Sequence, residues 1–464
     1  MAFTMKFRGR FVHCKSPTEL EIVNYGEIVV DAAGKIASVR RMAEADDSSD
    51  PTSLTTGEAS TLEETTTANQ FYFPGLIDSH IHASQYPCVG VSRGFSLLRW
   101  LKEVIYEQEF ALRKKEVAKP VYEQCVKRSL SMGTTTAAYY ATNSVESTNA
   151  LAKAVYDMDQ RGFIGRCAMD RGLPHVPPEV SDKTAAESVS KTKDCLKYCK
   201  QLSFASNGRV QGIVTPRFAL GCTTDALKGL ADLLKGDPGL LCQTHISGNV
   251  GEVNSVRAQF PEFRSYAAVY DGCGLLTSRT VLGHAVHLTD EEIALVHLRD
   301  AGIAHCPVSN LALGSGDAKV RSWLNAGIKV GLGSDVAGGH EMNILAVART
   351  ACLVSRSVAH TQGESAKLSF EEALYLATRG GAEVLGLKEQ VGYFKEGMQW
   401  DACLVEVEAP RKPKEVWKDR IERWLFSGDD RNIKKVWVKG LLAHPQPWTL
   451  PGVLQVREGE TEEV

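Results

Sequence analysis

Residues 74–82 read Pro-Gly-Leu-Ile-Asp-Ser-His-Ile-His, and this stretch points to both the fold and the chemistry of the chain. Alternate side chains of a β-strand lie on one face, so a strand here places Asp78, His80 and His82 on the same side. Two imidazoles held this close on one rigid element provide half of a metal site. The competing interpretation is a strand end with two surface histidines, and residues further along the chain bear on the choice.

Length, charge and cysteine content limit the classes of protein that fit. The chain has 464 residues, which suits one large domain with a smaller companion. Its 53 basic and 56 acidic residues leave a net charge of −3 with no basic cluster, so we expect no nucleic-acid partner. The 12 cysteines follow no disulfide or zinc-ribbon spacing, and the N-terminus lacks the apolar core of a signal peptide. No run of about 18 apolar residues occurs. These features predict a cytoplasmic protein without a membrane span.

From Pro74 onward the pattern is that of repeated βα units. Short apolar runs alternate with helical stretches at a spacing of roughly 30 residues. Eight candidate strands can be placed, and eight is the number that closes a (β/α)8 barrel. They lie at residues 73–82, 134–140, 163–169, 210–217, 240–246, 280–285, 302–306 and 328–335.

Both ends of the chain carry further strand patterns, with alternating apolar and polar residues. These segments lie at residues 4–12, 19–30, 36–39, 401–407 and 433–438.

The economical arrangement packs the strands of the two chain ends together. We therefore expect a small β-sandwich domain formed by residues 1–73 and 391–464, beside a barrel of residues 74–390. Within it, residues 43–69 are rich in Ser, Thr, Glu and Asp, which predicts a polar, solvated loop, with disorder as an alternative.

Further residues of metal-ligand type fall at the predicted carboxyl ends of other barrel strands, where barrel enzymes carry their chemistry. These residues are His245, His284 and Asp335. A lone histidine that ends an apolar strand, as His245 does, can also be structural, but five such residues at matching positions are harder to explain that way. Imidazole and carboxylate ligands suit Zn²⁺ or a similar first-row ion, which lowers the pKa of bound water to about 7. The pattern predicts a metal-dependent hydrolase.

The His-x-His of the first strand, the histidines of the fifth and sixth, and the aspartate of the eighth resemble the amidohydrolase superfamily over nearly the whole chain. Two-metal members carry a lysine on the fourth strand, whereas residues 215–218 here read Thr-Pro-Arg-Phe. The resemblance therefore implies one metal per chain, with His284 orienting the hydroxide and Asp335 accepting the proton of the water. The metal ligands that it implies are His80, His82, His245 and Asp335.

Several longer motifs are similar to those of the guanine deaminases, a family within this superfamily. By this resemblance, Gln85, Arg217, Phe218 and His245 contact a purine substrate, with Gln85 and Arg217 on its polar edge. The residues alone leave alternatives open: Arg217 also suits a salt bridge at the barrel mouth, and Gln85 a loop residue that caps a backbone group. The motifs are His82-Ala-Ser-Gln85, Val214-Thr-Pro-Arg-Phe218, His305-Cys-Pro-Val-Ser-Asn310, Gly331-Leu-Gly-Ser-Asp-Val-Ala-Gly-Gly339 and Gly428-Asp-Asp-Arg-Asn432.

One position departs from that family's pattern. Guanine deaminases carry a glutamate three residues after the histidine of the fifth strand, where it moves a proton to the ring nitrogen, and this chain has Gly248 there. Loss of a positioned acid typically costs about 10²- to 10⁴-fold in rate. Glu252 lies one helical turn further on and replaces it only if the loop is remodelled. Three outcomes stay open: a slow guanine deaminase, a hydrolase of another aminated heterocycle such as a pterin or triazine, and a non-catalytic purine-binding or scaffold protein.

The resemblance implies hydrolysis of guanine to xanthine and ammonia with one zinc ion per chain. It also implies that the protein is a homodimer and that its substrate is a small purine. The chain ends Thr461-Glu-Glu-Val464, which suits either the groove of a PDZ domain or a plain solvated acidic terminus.

Overall fold

The computed structural model describes residues 4–42, 61–172 and 177–445. Numbered in chain order, its strands are β1 Thr4–Ser16, β2 Glu19–Val30, β3 Ile36–Arg41, β4 Thr61–Thr65, β5 Gln70–Pro74, β6 Leu76–His82, β7 Thr134–Tyr140, β8 Arg161–Gly165, β9 Val210–Val214, β10 Leu241–Ile246, β11 Thr280–His284, β12 Gly302–His305, β13 Lys329–Leu332, β14 Ala402–Glu406, β15 Ile433–Val438 and β16 Leu441–His444.

The α-helices lie mainly between the strands from β6 to β14. They are α1 Leu97–Trp100, α2 Tyr106–Ala111, α3 Lys115–Ser131, α4 Val145–Asp157, α5 Ala185–Ala205, α6 Thr224–Gly236, α7 Val250–Gln259, α8 Tyr266–Gly272, α9 Asp290–Leu298, α10 Pro307–Ala312, α11 Val320–Asn325, α12 Ile344–Gln362, α13 Phe370–Tyr375, α14 Gly381–Val384 and α15 Trp417–Ser427. Leu101–Ile105 form a π-helical turn between α1 and α2. Within the described ranges, no helix has the length and apolarity that a membrane crossing requires.

The eight predicted barrel strands are confirmed. Strands β6 to β13 pair in chain order, each parallel to the next. Helices cover strands of this kind on the outside, so the strands are buried on both faces and read as apolar runs. The barrel nearly closes at its carboxyl end, where Asp335 N–H donates to the His80 carbonyl at 2.8 Å and His82 N–H to that of Val336 at 3.1 Å. The first and eighth strands therefore meet where the predicted ligands lie.

The prediction that the two chain ends build one small β domain is confirmed, and its strands form one mixed sheet. The hydrogen-bonded order is β16-β15-β14-β5-β1-β2-β3, with β4 also paired to β1. The sheet stays continuous because β1 is 13 residues long and pairs antiparallel with β2 on one edge and parallel with β4 and β5 on the other. Aromatic side chains, among them Phe7, Tyr72 and Trp400, form its own buried core.

The predicted polar loop at residues 43–69 needs a correction. Residues 43–60 lie outside the described residues, but Thr61–Thr65 form strand β4 and β5 begins at Gln70. Strand β4 forms because its backbone pairs with β1, and such pairing leaves no apolar signature in a polar segment. The chain then passes from one sheet to the other at Gly75, whose N–H donates to the Asp401 carbonyl. The proposed domain bounds at residues 74 and 391 stay a prediction.

Candidate active site

Four of the predicted site residues converge at the carboxyl end of the barrel. His80, His82, His245 and Asp335 each offer a ligand atom, and these atoms all lie within 4.8 Å of one another. His80 Nε2 and His82 Nε2 are both 3.2 Å from Asp335 Oδ1, and His82 Nε2 is 3.0 Å from His245 Nε2. Side chains from the first and fifth strands and from the segment after the eighth thus converge on one point.

Burial keeps the three imidazoles of this group neutral. It lowers the pKa of His80 to about 4 and also lowers the pKa values of His82 and His245. Burial alone raises the pKa of Asp335, but the surrounding histidines outweigh it, so the pKa is well below its usual range. Neutral imidazole and ionised carboxylate are the forms that bind metal ions.

The tautomer of His245 is fixed by the backbone. Its Nδ1 lies 2.5 Å from the Arg217 carbonyl oxygen, which only accepts hydrogen bonds, so Nδ1 carries the proton. The lone pair is then on Nε2, which faces His82 and Asp335. Orientation of a ligating imidazole through its second nitrogen is typical of metal sites.

His284 stands beside this group. Its Nε2 is 3.6 Å from Asp335 Oδ2, and its Nδ1 is 2.9 Å from Asn310 Oδ1. Both His284 and Asp335 have a left-handed backbone, with φ of 70° and 47°, which bulky residues adopt at a cost. Asn310 ends the motif of residues 305–310, but its contact with His284 spans 26 residues and has no local sequence signal.

Asp78 is placed behind the ligands and does not join them. It accepts hydrogen bonds from Ser334 Oγ at 2.6 Å, Ser334 N–H at 3.0 Å and His80 N–H at 3.1 Å. Burial raises its pKa to about 7, although these donors oppose the shift. Asp78 therefore fastens the first strand to the segment after the eighth.

The donor set suits a divalent first-row ion. Three imidazole nitrogens and one carboxylate are typical ligands for such ions. His80 Nε2 is fully buried and makes no hydrogen bond, although it lies 3.2 Å from Asp335 Oδ1. A buried nitrogen left without a hydrogen bond is costly unless it has another partner, and metal coordination provides one.

A cavity opens onto this group. Apolar side chains from the helical stretch after the first strand form one wall, which the sequence did not indicate. The cavity is lined by His82, Gln85, Leu97, Trp100, Leu101, Arg217, Phe218, His245, Glu252, His284 and Asp335.

The predicted purine-binding residues Gln85 and Arg217 share one buried partner, Glu109 of α2. Arg217 Nη1 forms an ion pair with Glu109 Oε2, and Gln85 Nε2 donates to Glu109 Oε1 at 3.1 Å. Gln85 Oε1 also accepts from Ala337 N–H at 3.2 Å, so the salt-bridge and backbone-capping interpretations both describe real contacts. A guanidinium has five N–H donors and an amide two, so these bonds leave capacity for a ligand. Glu109 escaped the sequence analysis because it lies 108 residues from Arg217.

At position 248, where the chain departs from the guanine deaminase motif, a different carboxylate lines the cavity. Gly248 follows β10, and Glu252 in the first turn of α7 lines the cavity. Glu252 Oε2 accepts from Gly248 N–H at 2.9 Å.

The chain is similar to known proteins over nearly its whole length. The model of the amidohydrolase family matches residues 71–442. A probable guanine deaminase of Schizosaccharomyces pombe is 40% identical over 94% of this chain and 82% of its own length. The guanine deaminase of Homo sapiens is 35% identical over 94% of this chain and 95% of its own. A crystal structure of guanine deaminase from C. acetobutylicum, with guanine bound in its active site, superposes with a TM-score of 0.84 at 31% identity, covering 95% of this chain and 99% of that one.

Proposed function

The chain belongs to the amidohydrolase family, and on that premise we propose that it converts guanine and water to xanthine and ammonia. One observation carries the proposal: a single cavity is bordered by the cluster of metal-ligand type and by the pair Gln85 and Arg217. The first provides hydrolytic chemistry, and the second provides donors for a polar heterocycle. The similarity to guanine deaminases over nearly the full length supports guanine as the substrate.

Members of this family depend on a metal, and His80, His82, His245 and Asp335 would hold it. Zinc is our proposal because imidazole-rich sets with one carboxylate favour it. When bound, such an ion supplies a hydroxide nucleophile near neutral pH by lowering the pKa of water to about 7.

The protein's own groups move and direct the protons. Asp335 Oδ1 faces His80 and His82, while Oδ2 faces His284 at 3.6 Å. One oxygen of the carboxylate can therefore serve as a ligand while the other takes a proton from the attacking water and returns it to the leaving amine. His284, held by Asn310, fixes the nucleophile in line with the amino-bearing carbon.

The opposite side of the cavity selects the base. Phe218 and Trp100 offer apolar surfaces for a planar ring, and Arg217 and Gln85 offer N–H donors to its oxo group. Glu109 fixes both donors before substrate arrives, which reduces the entropy lost on binding.

The direct test is an ammonia-release assay of purified, zinc-supplemented protein. We expect turnover of guanine and none of adenine, pterin or aminotriazine. Turnover of another heterocycle in preference to guanine would refute the substrate assignment, and no turnover of any would refute the hydrolase.

We also infer a cytosolic homodimer. All 12 cysteines are free and buried, which agrees with a reducing compartment. The dimer rests on the family resemblance and is tested by light scattering of the purified protein. The C-terminal tail lies outside the described residues, so both of its interpretations, a PDZ contact and a solvated acidic terminus, stay open.

A further inference from the structure

We propose that Glu252 carries a proton to the ring nitrogen of guanine, in place of the side chain that Gly248 lacks. The proposal rests on the proposed function. It concerns the proton transfer for which the family motif has a glutamate at the position that is Gly248 in this chain.

The carboxylate of Glu252 lies where a side chain at position 248 would begin. Its Oε2 accepts from Gly248 N–H at 2.9 Å, and a Cβ built on Gly248 would stand 3.3 Å from that oxygen. The same Cβ would stand 3.5 Å from the His284 ring. A carboxyl group therefore reaches the same corner of the cavity from α7, with no remodelling of the loop.

Glu252 is held rigidly and out of water. It is 1% exposed, and its Oε1 accepts from the Tyr266 hydroxyl at 2.8 Å. Burial raises the pKa of Glu252 above its usual value even though Tyr266 and the backbone donors oppose the shift. A carboxyl group whose pKa is raised toward neutrality is suited to accept and release a proton.

A purely structural role for Glu252 is the alternative that an experiment must separate. Asn249 caps α7 and Glu252 lies in its first turn, where a glutamate can reach back to the cap. Glu292 does this on α9: it is also buried, and its carboxylate accepts from Thr289 N–H and Ala267 N–H, each at 3.0 Å. Glu292 does not line the cavity. It is therefore a matched control for loss of a buried helix-capping carboxylate.

The proposed transfer balances. The water oxygen forms a bond to the amino-bearing carbon, one water proton passes to the Glu252 carboxylate, and Glu252 gives it to the ring nitrogen beside that carbon. The second proton passes through Asp335 to the amine, the carbon–nitrogen bond breaks, and ammonia leaves with xanthine. Glu252 ends ionised as it began, and no group is oxidised or reduced.

The test compares Glu252→Gln with Glu292→Gln in metal-loaded protein. The amide keeps the shape of Glu252 and can still accept one hydrogen bond, but it cannot carry the proton. We expect kcat for guanine to fall about 10²- to 10⁴-fold in Glu252→Gln, with guanine affinity from calorimetric titration changed less than about threefold. Glu292→Gln should keep kcat. A Glu252→Gln protein with wild-type kcat, or one whose loss matches that of Glu292→Gln, would overturn the proposal.

Gly248→Glu in the wild-type background provides a second test, which does not depend on the folding of Glu252→Gln. If Glu252 already carries the proton, a carboxylate added at position 248 gives no gain in the wild type but restores kcat in the Glu252→Gln background. A rise of about 10²-fold in the wild-type background would mean that the carboxyl group was missing, and would overturn the proposal. Wild-type protein that releases no ammonia from guanine would instead contradict the proposed function.

Discussion

Neutralising Glu109 should weaken both the fold and guanine binding, because one carboxylate holds two substrate-facing groups. The side chains of Arg217 and Glu109 are only 3% and 2% exposed. Burial lowers the pKa of Arg217, but Glu109 more than offsets this, so the guanidinium stays charged. Glu109→Gln leaves that charge buried without a counter-ion. Breaking such a pair costs about 3–5 kcal/mol, and since the glutamine retains a hydrogen bond, we expect a loss of about 3 kcal/mol in the free energy of unfolding.

The stability and the affinity can be separated by removing both partners. Replacing a buried ion pair with apolar residues of similar size is often neutral or stabilising, so Glu109→Leu with Arg217→Met should recover most of the lost stability. Guanine binding should stay impaired because Gln85 has lost its anchor and Arg217 is gone. Urea denaturation measures the first quantity and calorimetric titration the second.

A second buried pair supplies the control. Arg161 and Asp401 are each 1% exposed and bond through two contacts of 3.0 and 3.1 Å, outside the cavity. Asp401→Asn should therefore lower stability by a similar amount and leave guanine affinity unchanged. If Glu109→Gln loses stability but binds guanine like the wild type, Glu109 is only structural and our account of the purine edge is refuted.

Three further predictions use other parts of the molecule. Elemental analysis should find one divalent ion per chain, and His82→Ala should abolish its retention; two ions per chain would contradict the assignment. Guanine should bind on the order of 3 kcal/mol more tightly than adenine, which lacks the oxo acceptor for Arg217, and equal affinities in calorimetric titration would remove the basis for a guanine site. The hydrogen bond from His13 is the main cause that lowers the pKa of Glu21 to about 2. The ionised Glu21 therefore stabilises the fold fully above about pH 4.5, and this contribution to the unfolding free energy is lost as the pH falls toward 2. The difference in unfolding free energy between wild type and Glu21→Gln should shrink over that window, and a difference independent of pH would argue against this hydrogen bond.

Much of the fold could be predicted because the barrel strands are buried on both faces and so appear as apolar runs. Seven of the eight lie within their predicted segments, and β8 begins two residues before its own, because strand ends do not follow from apolarity alone. Strand β13 ends at Leu332, so Asp335 lies three residues beyond it on a left-handed backbone. The polar strand β4 was missed because backbone pairing with β1, not side-chain burial, creates it.

The cluster of metal-ligand type could be predicted for a related reason. Parallel strands bring their carboxyl ends to one edge, so histidines that end separate strands must approach one another wherever the barrel closes. Glu109 and Asn310 follow no such rule. They lie on α2 and α10 and act through Arg217 and His284, far away in sequence, so only the folded structure shows these contacts.

Because contacts between residues far apart in sequence appear only in the folded structure, a departure from a family motif does not by itself show that a catalytic group is missing. Gly248 removes a side chain from one position, but a catalytic group is defined by where its atoms lie, and more than one backbone position can deliver a carboxylate to that point. Four residues on, the first turn of α7 returns Glu252 to Gly248 N–H. A Cβ built at position 248 would stand 3.3 Å from Oε2, so the Glu252 carboxylate lies beside the place where that side chain would begin. The expectation of slow turnover, derived from the motif alone, therefore depends on whether the Glu252 carboxylate reaches the ring nitrogen, and the paired substitutions at 248 and 252 measure this.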